Sequence, residues 1–303
     1  MPSVRSGQNK EKWHTQRRAI VQMLSLPTSV SQWYSIAGNG NVECLSKRQT
    51  DYLPNSGTNP LEYLLLKRRL RKIECVWTQP NLSGQTGYVH LDVTYWGHNR
   101  SVMLALDDTT NKPLYVAFVK SETTQDYRTA IDAITEAGYT IKGIIIDGKK
   151  ALFKEFKDYP VQMCQFHMLQ IVMRYLTGNP KMKASIDVML LMREMKHLTK
   201  EGFEAGYAVW KERYAEFLNE CVTHKDGKSC YLHRKVRTVV HSIDFYLPYL
   251  FTFLRPERAG MPNTNNKIEG TFTDLKKSLN NHTGMSQQNR KRFISSFFLQ
   301  RLN

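Results

Sequence analysis

The sequence predicts an α/β fold centred on a mixed five-stranded sheet, entered in the order βββαβαβ. Three observations predict it. From Gly87 onward β-branched and aromatic residues alternate through three short runs separated by turn-forming residues. The period then lengthens to that of an amphipathic helix. Last comes "IKGIIIDG", an unbroken apolar run of the kind covered on both faces of a sheet.

The elements follow in order. "GYVHLDVTYWG" forms the first strand, and "RSVMLALDD" and "KPLYVAFVK" the second and third, with "DTTN" turning the chain between them. Strands in such close succession pair as an antiparallel meander. In "TTQDYRTAIDAITEAG" the residues Tyr127, Ile131 and Ile134 fall at i, i+4 and i+7, Thr123 or Thr124 can cap the start, and Gly138 can end the helix. The strand that follows stops at Asp147. "KALFKEFKD" reads as a short helix and "PVQMCQFH" as the fifth strand. From about Met168 to about Leu254 the pattern is helical, most clearly where Phe203, Tyr207, Trp210, Tyr214 and Phe217 make an amphipathic stripe. In the last element, "NKIEGTFTDLKKSL", one face holds Ile268, Phe272, Leu275 and Leu279, and Glu269 stands at its polar edge.

Composition narrows the function classes. A chain of 303 residues with 41% hydrophobic and 23% charged residues can bury one large core or two modest ones, so disorder throughout is excluded. No apolar run is long enough to span a bilayer, and "MPSVRSGQNKEKWH" lacks an export core, so no membrane partner and a cytoplasmic location are expected. Five cysteines without a CxxC pair fit reduced thiols. The net charge of +16 is unevenly spread. Residues 1–84 carry 12 basic and 5 acidic side chains and residues 259–303 carry 7 and 2, whereas residues 85–168 carry 9 and 10. Basic flanks around a carboxylate-rich centre suit a polyanion partner and a cation-binding core. Charge alone would equally fit a basic protein that binds RNA.

Two carboxylates stand out by their surroundings. Asp92 interrupts the first strand, and Asp147 ends the buried "GIIID" run. Desolvating such groups is costly unless positive charge compensates them, and hard oxygen ligands select Mg²⁺ or Mn²⁺. A crossover through the intervening helix would make the two strands neighbours and bring the aspartates to one edge of the sheet. Glu269, delivered by a helix packed there, would then complete a two-metal site suited to phosphodiester chemistry. Taken singly, each aspartate is more often a turn or cap residue. Asp107 and Asp108 read as turn residues, Asp132 and Glu136 as a solvated helix face.

The segments "LDVTYWG", "IIIDGKKAL", "QMCQFHMLQIVMRYLT", "CYLHRKVRTV" and "TNNKIEGTFTDLKKSLNNHTGM" together resemble the bacterial insertion-sequence DDE transposases of the Mutator-like (MULE-type) group, over residues 86–296. The resemblance implies an RNase H-like fold with an all-α insertion domain before the last catalytic helix. It divides the chain into a basic N-terminal region (1–84), the first part of the catalytic core (85–168), the helical insertion (169–258), and a final core helix with a basic tail (259–303). It implies metal-dependent strand cleavage at terminal inverted repeats, then strand transfer into target DNA, with double-stranded DNA as partner and a homo-oligomer on the DNA. Asp92, Asp147 and Glu269 become the catalytic, metal-holding triad for two Mg²⁺ ions, for which Mn²⁺ can substitute. Cys164 and His167 match the C-x-x-H element as supporting residues.

Other features carry two readings each. Asn265 and Asn266 can cap the last helix or touch DNA. Lys276, Lys277, Arg290, Lys291 and Arg292 are candidate phosphate contacts, or a solvated helix surface. Trp210 could stack on a flipped base, but its place in the stripe argues for the core. Cys221, His224, Cys230 and His233 have ligand-like spacing across a short loop, and a structural role is favoured over zinc. "SVSQWYSIAGNGNVECLSKRQTDYL" can be read as helix, turn, helix. Two rivals share much of this pattern: an RNase H-like nuclease without strand transfer, and a catalytically silent DNA-binding remnant of a transposon.

Overall fold

The computed structural model describes residues 76–223, 227–281 and 284–302. The helix-turn-helix reading and His224 lie outside the described residues.

Strands β1 (Thr86–Gly97), β2 (Arg100–Asp107) and β3 (Pro113–Val119) form the expected antiparallel meander. Thr123 then starts α1 (Thr124–Glu136) with a capping box. Its hydroxyl accepts the N–H of Asp126, and the Asp126 carboxylate accepts the N–H of Thr123. The chain leaves α1 through Gly138 at φ +94°, where a Cβ would come within 2.9 Å of the Ser83 backbone. It returns as β4 (Thr140–Ile146), parallel to β1, and after α2 (Lys150–Glu155) adds β5 (Val161–Met163) parallel to β4. The sheet order β3-β2-β1-β4-β5 makes β1 the central strand.

Side-chain alternation gives the sheet two cores. Val89, Leu91, Met103, Ala105, Ile144 and Ile146 face one of them, together with α1 and the helices that follow β5. Val102, Leu104, Leu106 and Val116 face the other, which is closed by α8 (Asn266–Asn280) and α9 (Gln287–Leu299), named in chain order. Ile268, Phe272, Leu275 and Leu279 of α8 are all buried there as the sequence predicts. Each such side chain stabilises the docking of α8 by about 1.5–3 kcal/mol.

Between β5 and α8 lie α3 (Gln165–Leu176), α4 (Lys183–Glu194), α5 (Lys200–Arg213), α6 (Ala215–Asn219) and α7 (Arg234–Leu250). Three expectations are corrected here. The segment is not all helix: β6 (Cys221–Thr223) and β7 (Ser229–Tyr231) pair as a small antiparallel hairpin. The β-branched Val222 and Thr223, a Thr223–Ser229 hydroxyl contact of 2.9 Å and Gly227 at φ +78° favour it. The aromatic stripe breaks at Tyr214, whose backbone leaves helical geometry and whose hydroxyl donates to Asp187 at 2.6 Å. The fifth strand ends at Met163, so Cys164 and His167 lie at the start of α3 instead of on a strand. Trp210 is buried, and its indole N–H donates to the Ala184 carbonyl at 3.0 Å, as a core residue requires. No described helix is long and apolar enough to cross a membrane.

Candidate active site

The register of β1 on β4 sets the site. His90 stands opposite Ile145, so Asp92 and Asp147 lie two residues further along their respective strands. Strand β4 stops at Ile146 while β1 runs on to Gly97, and Asp92 therefore loses its backbone neighbour on that side where Asp147 leaves the sheet. Ends of parallel strands are where α/β sheets place ligands.

The carboxylates perturb one another. Asp92 keeps partial solvent access but is surrounded by protein. Burial raises its pKa well above the ordinary carboxyl range, the negative charge of Asp147 adds to this, and Glu122 and Glu269 add smaller amounts. A 2.7 Å hydrogen bond from the Val93 N–H opposes the rise. Burial also raises the pKa of Asp147, followed by the charge of Glu122, against His167 and Lys149. The charge of Glu269 thus reaches Asp92 from a helix far along the chain.

Glu122 is the carboxylate that sequence reasoning missed. It sits in the loop between β3 and α1, receives the Tyr127 hydroxyl at 3.0 Å and pairs with the Lys149 ammonium at 3.1 Å. The backbone N–H of the same Lys149 donates to Asp147 Oδ1 at 3.2 Å. Lys149 therefore ties the loop bearing Glu122 to the strand end bearing Asp147. Only a lysine two residues after the aspartate hinted at this.

Glu269 lies in the first turn of α8, with Oε1 buried and 3.2 Å from His167 Nε2. That is ion-pair distance without hydrogen-bond alignment, and His167 Nδ1 is likewise buried without a partner. Cys164 precedes α3, and its sulfur accepts the Asn265 N–H at 3.2 Å. Burial pushes this thiol up to about 11, so at neutral pH it stays protonated and acts by packing and accepting.

A buried network fixes the start of α8. His90 is fully buried, two residues before Asp92, with Nδ1 2.7 Å from Asn265 Oδ1 and Nε2 3.0 Å from Asp108 Oδ1. Lys267 Nζ reaches the same Asp108 oxygen at 2.8 Å. For Asp108 burial pushes the pKa up, but the bonds from His90 and Lys267 outweigh it and the net shift is downward. Asn263 adds a bond to Gln165 at 2.9 Å. The loop that launches Glu269 is thereby fastened to β1, to the turn after β2, and to the start of α3.

These contacts correct the reading of Asn265. Its side chain has no exposed surface and caps no helix N–H, so it neither touches DNA nor caps α8 but bonds His90. Asn266, Lys276, Lys277 and Lys291 are exposed, whereas Arg290 and Arg292 are half-buried. Arg290 leans on the Trp96 carbonyl at 3.5 Å, and Lys291 lies 5.4 Å over the Phe118 ring. His233 stacks on Phe217 and pairs with Glu220 at 2.9 Å, which favours the structural reading of that segment.

Asp92, Asp147, Glu122 and Glu269 share one electrostatic neighbourhood without sharing a ligand sphere. Among the described residues no group of three or more His, Cys, Asp or Glu is gathered closely enough to hold a metal ion. Carboxylates that repel one another settle on separate partners: Asp92 on Val93, Asp147 on Lys149, Glu269 on His167. The donor chemistry nevertheless fits a hard divalent cation. The oxygens are carboxylates, burial and neighbouring negative charge suppress the ionisation of Asp92 and Asp147, and one Glu269 oxygen is buried without a hydrogen bond. Comparison with models of protein families and with curated proteins finds no match to this chain.

Proposed function

We propose that the chain is a DDE transposase. In this reading β1–β5, α1, α2 and α8 form an RNase H-like core, and the segment between β5 and α8 is a helical insertion. The enzyme cuts DNA at the ends of its element and joins the freed 3′ ends to target DNA. One observation carries the reading: Asp92 on β1 and Asp147 just past the end of β4 each follow the paired His90 and Ile145 by two residues, and the charges of both Asp147 and Glu269 act on Asp92.

Asp92, Asp147 and Glu269 would hold divalent ions, Mg²⁺ by preference. Bound there, such ions supply positive charge that activates an attacking oxygen and stabilises the leaving one. The chain's own residues prepare the site. His167 keeps the Glu269 carboxylate turned inward, and Lys149 fixes the Asp147 loop against Glu122. The network around His90 sets the start of α8, and with it the height of Glu269 along the sheet. The exposed Lys276, Lys277 and Lys291 are available for backbone phosphates.

The test is incubation, with Mg²⁺, of protein, DNA carrying the sequences that flank the gene, and a target plasmid. Cut ends and joined products are expected from the wild type. Asp92→Asn, Asp147→Asn and Glu269→Gln should abolish both while retaining DNA binding. Cutting without joining would favour the nuclease, and binding without cutting the silent remnant. Either outcome overturns the proposal.

A further inference from the structure

The outward side of α3 carries an ordered row. Its exposed side chains are Phe166, Gln170 and Arg174, spaced i, i+4 and i+8, so they line up along one side of the helix. All 13 phenylalanines of the chain lie within the described residues, and Phe166 alone among them is exposed, at 41%. Burying such a ring is worth about 1.5–3 kcal/mol. A fold that buries or half-buries twelve rings leaves the thirteenth in water, one residue before the histidine that pairs with Glu269. The Phe166 ring centroid is 5.9 Å from that of His167, whose Nε2 is 3.2 Å from Glu269. The row ends about 12 Å further on, at 1.5 Å per residue, in a guanidinium. Arg174 has no carboxylate partner among the described residues.

The neighbours of Phe166 decide what would cover it. A protein partner would want a continuous apolar patch. The His167 imidazole lies beside this ring, and the row it opens runs on through the Gln170 amide to the Arg174 guanidinium, which suits a ligand with an aromatic face and a negatively charged backbone. We propose that the Phe166–Gln170–Arg174 row is the cradle for the DNA strand next to the cut, with a nucleobase stacked on Phe166 and a backbone phosphate on Arg174. The inference rests on the reading that the carboxylates cut DNA. At about 3.4 Å per nucleotide step the row covers roughly three to four nucleotides. The stacking role considered for Trp210 thus passes to an aromatic that is open to solvent.

The experiment measures DNA binding and Mg²⁺-dependent cleavage for the wild type, Phe166→Ala, Phe166→Trp and Arg174→Gln. The substrates are intact flanking DNA and a series with one abasic nucleotide at each position around the cut. Phe166→Ala should weaken binding of intact DNA about tenfold or more, and Phe166→Trp should restore it. At one abasic position wild type and Phe166→Ala should become equal. Arg174→Gln should lower the slope of log affinity against log salt by about 0.7–0.9. The proposal is overturned if Phe166→Ala stays within twofold of wild type on intact DNA, or if its loss persists at every abasic position. A change of oligomeric state in Phe166→Ala with unchanged DNA binding would also overturn it, by assigning the ring to a second copy of the chain. An inactive wild type sinks the transposase reading, whereas an active wild type with an unaffected Phe166→Ala sinks only the cradle.

Discussion

Replacing Asp92 by asparagine should stabilise the fold while removing its chemistry. The amide keeps the shape of the side chain and leaves an oxygen for the Val93 N–H, which lies 2.7 Å from the carboxylate. What disappears is a buried negative charge facing Asp147, Glu122 and Glu269. Neighbouring parallel strands are about 4.8 Å apart, which sets a scale of roughly 5–8 Å for charges held at adjacent positions of such strands. At an effective dielectric constant near 20 that is roughly 2–3 kcal/mol of repulsion between full charges. Solvent reaches part of the carboxylate and screens it, so the expected gain at pH 7 is about 1–3 kcal/mol. For a body of this size that is about 2–4 °C of melting temperature per kcal/mol. The sign with pH follows from the raised pKa. Asp92 is easier to protonate in the folded chain than in the unfolded chain, so its penalty is absent below 3.8 and grows as pH rises through the folded value. Urea unfolding of both proteins at pH 7 and near pH 3 measures the difference. A variant that is destabilised at pH 7, or whose advantage is the same at both pH values, would refute the reasoning.

Three further outcomes are expected. His90→Leu removes the buried ring that bonds both Asn265 and Asp108, which should cost about 2–4 kcal/mol in urea unfolding, and a loss below about 0.5 would remove the network from the account. Trp210→Ala should cost about 3–5 kcal/mol of stability with the DNA affinity of the folded protein unchanged, while a tenfold drop in affinity at full stability would make it a contact residue. Mg²⁺ at 100 times its dissociation constant should stabilise the wild type by about 2.7 kcal/mol in a thermal melt. Glu269→Gln should show less, and an equal response would take Glu269 out of the ion site.

Much of the sheet was legible in the sequence because local chemistry forces it. The turn residues between β2 and β3 allow only a tight reversal, and the capping box at Thr123 marks the switch to a helix. A helix between two buried apolar strands then implies a parallel crossover. Asp92 and Asp147 were legible for a related reason: each breaks an apolar pattern where nothing local compensates its charge. Glu122 was not legible, since its role depends on a loop folding back onto Lys149. The hairpin β6–β7 was hidden inside a segment of helical composition, and two three-residue strands leave little periodicity to detect.

The residues that hold the site were harder to read than those that compose it, and the reason is physical. A carboxylate at a strand end is conspicuous because its desolvation must be offset by something. His90 and Asn265 offset each other, so in the sequence each looks like an ordinary polar residue near a strand or a helix start. Their pairing bridges 175 residues of sequence, and only the fold brings them together. The same logic explains why Asn265 was read as a helix cap or a DNA contact. Position alone suggested those roles, but the side chain bonds the buried His90 ring. Precision at the carboxylates is therefore built from buried polar pairings one layer behind them, and substitutions in that layer should change how well Glu269 is placed while leaving the exposed Lys276 and Lys277 of the same helix untouched.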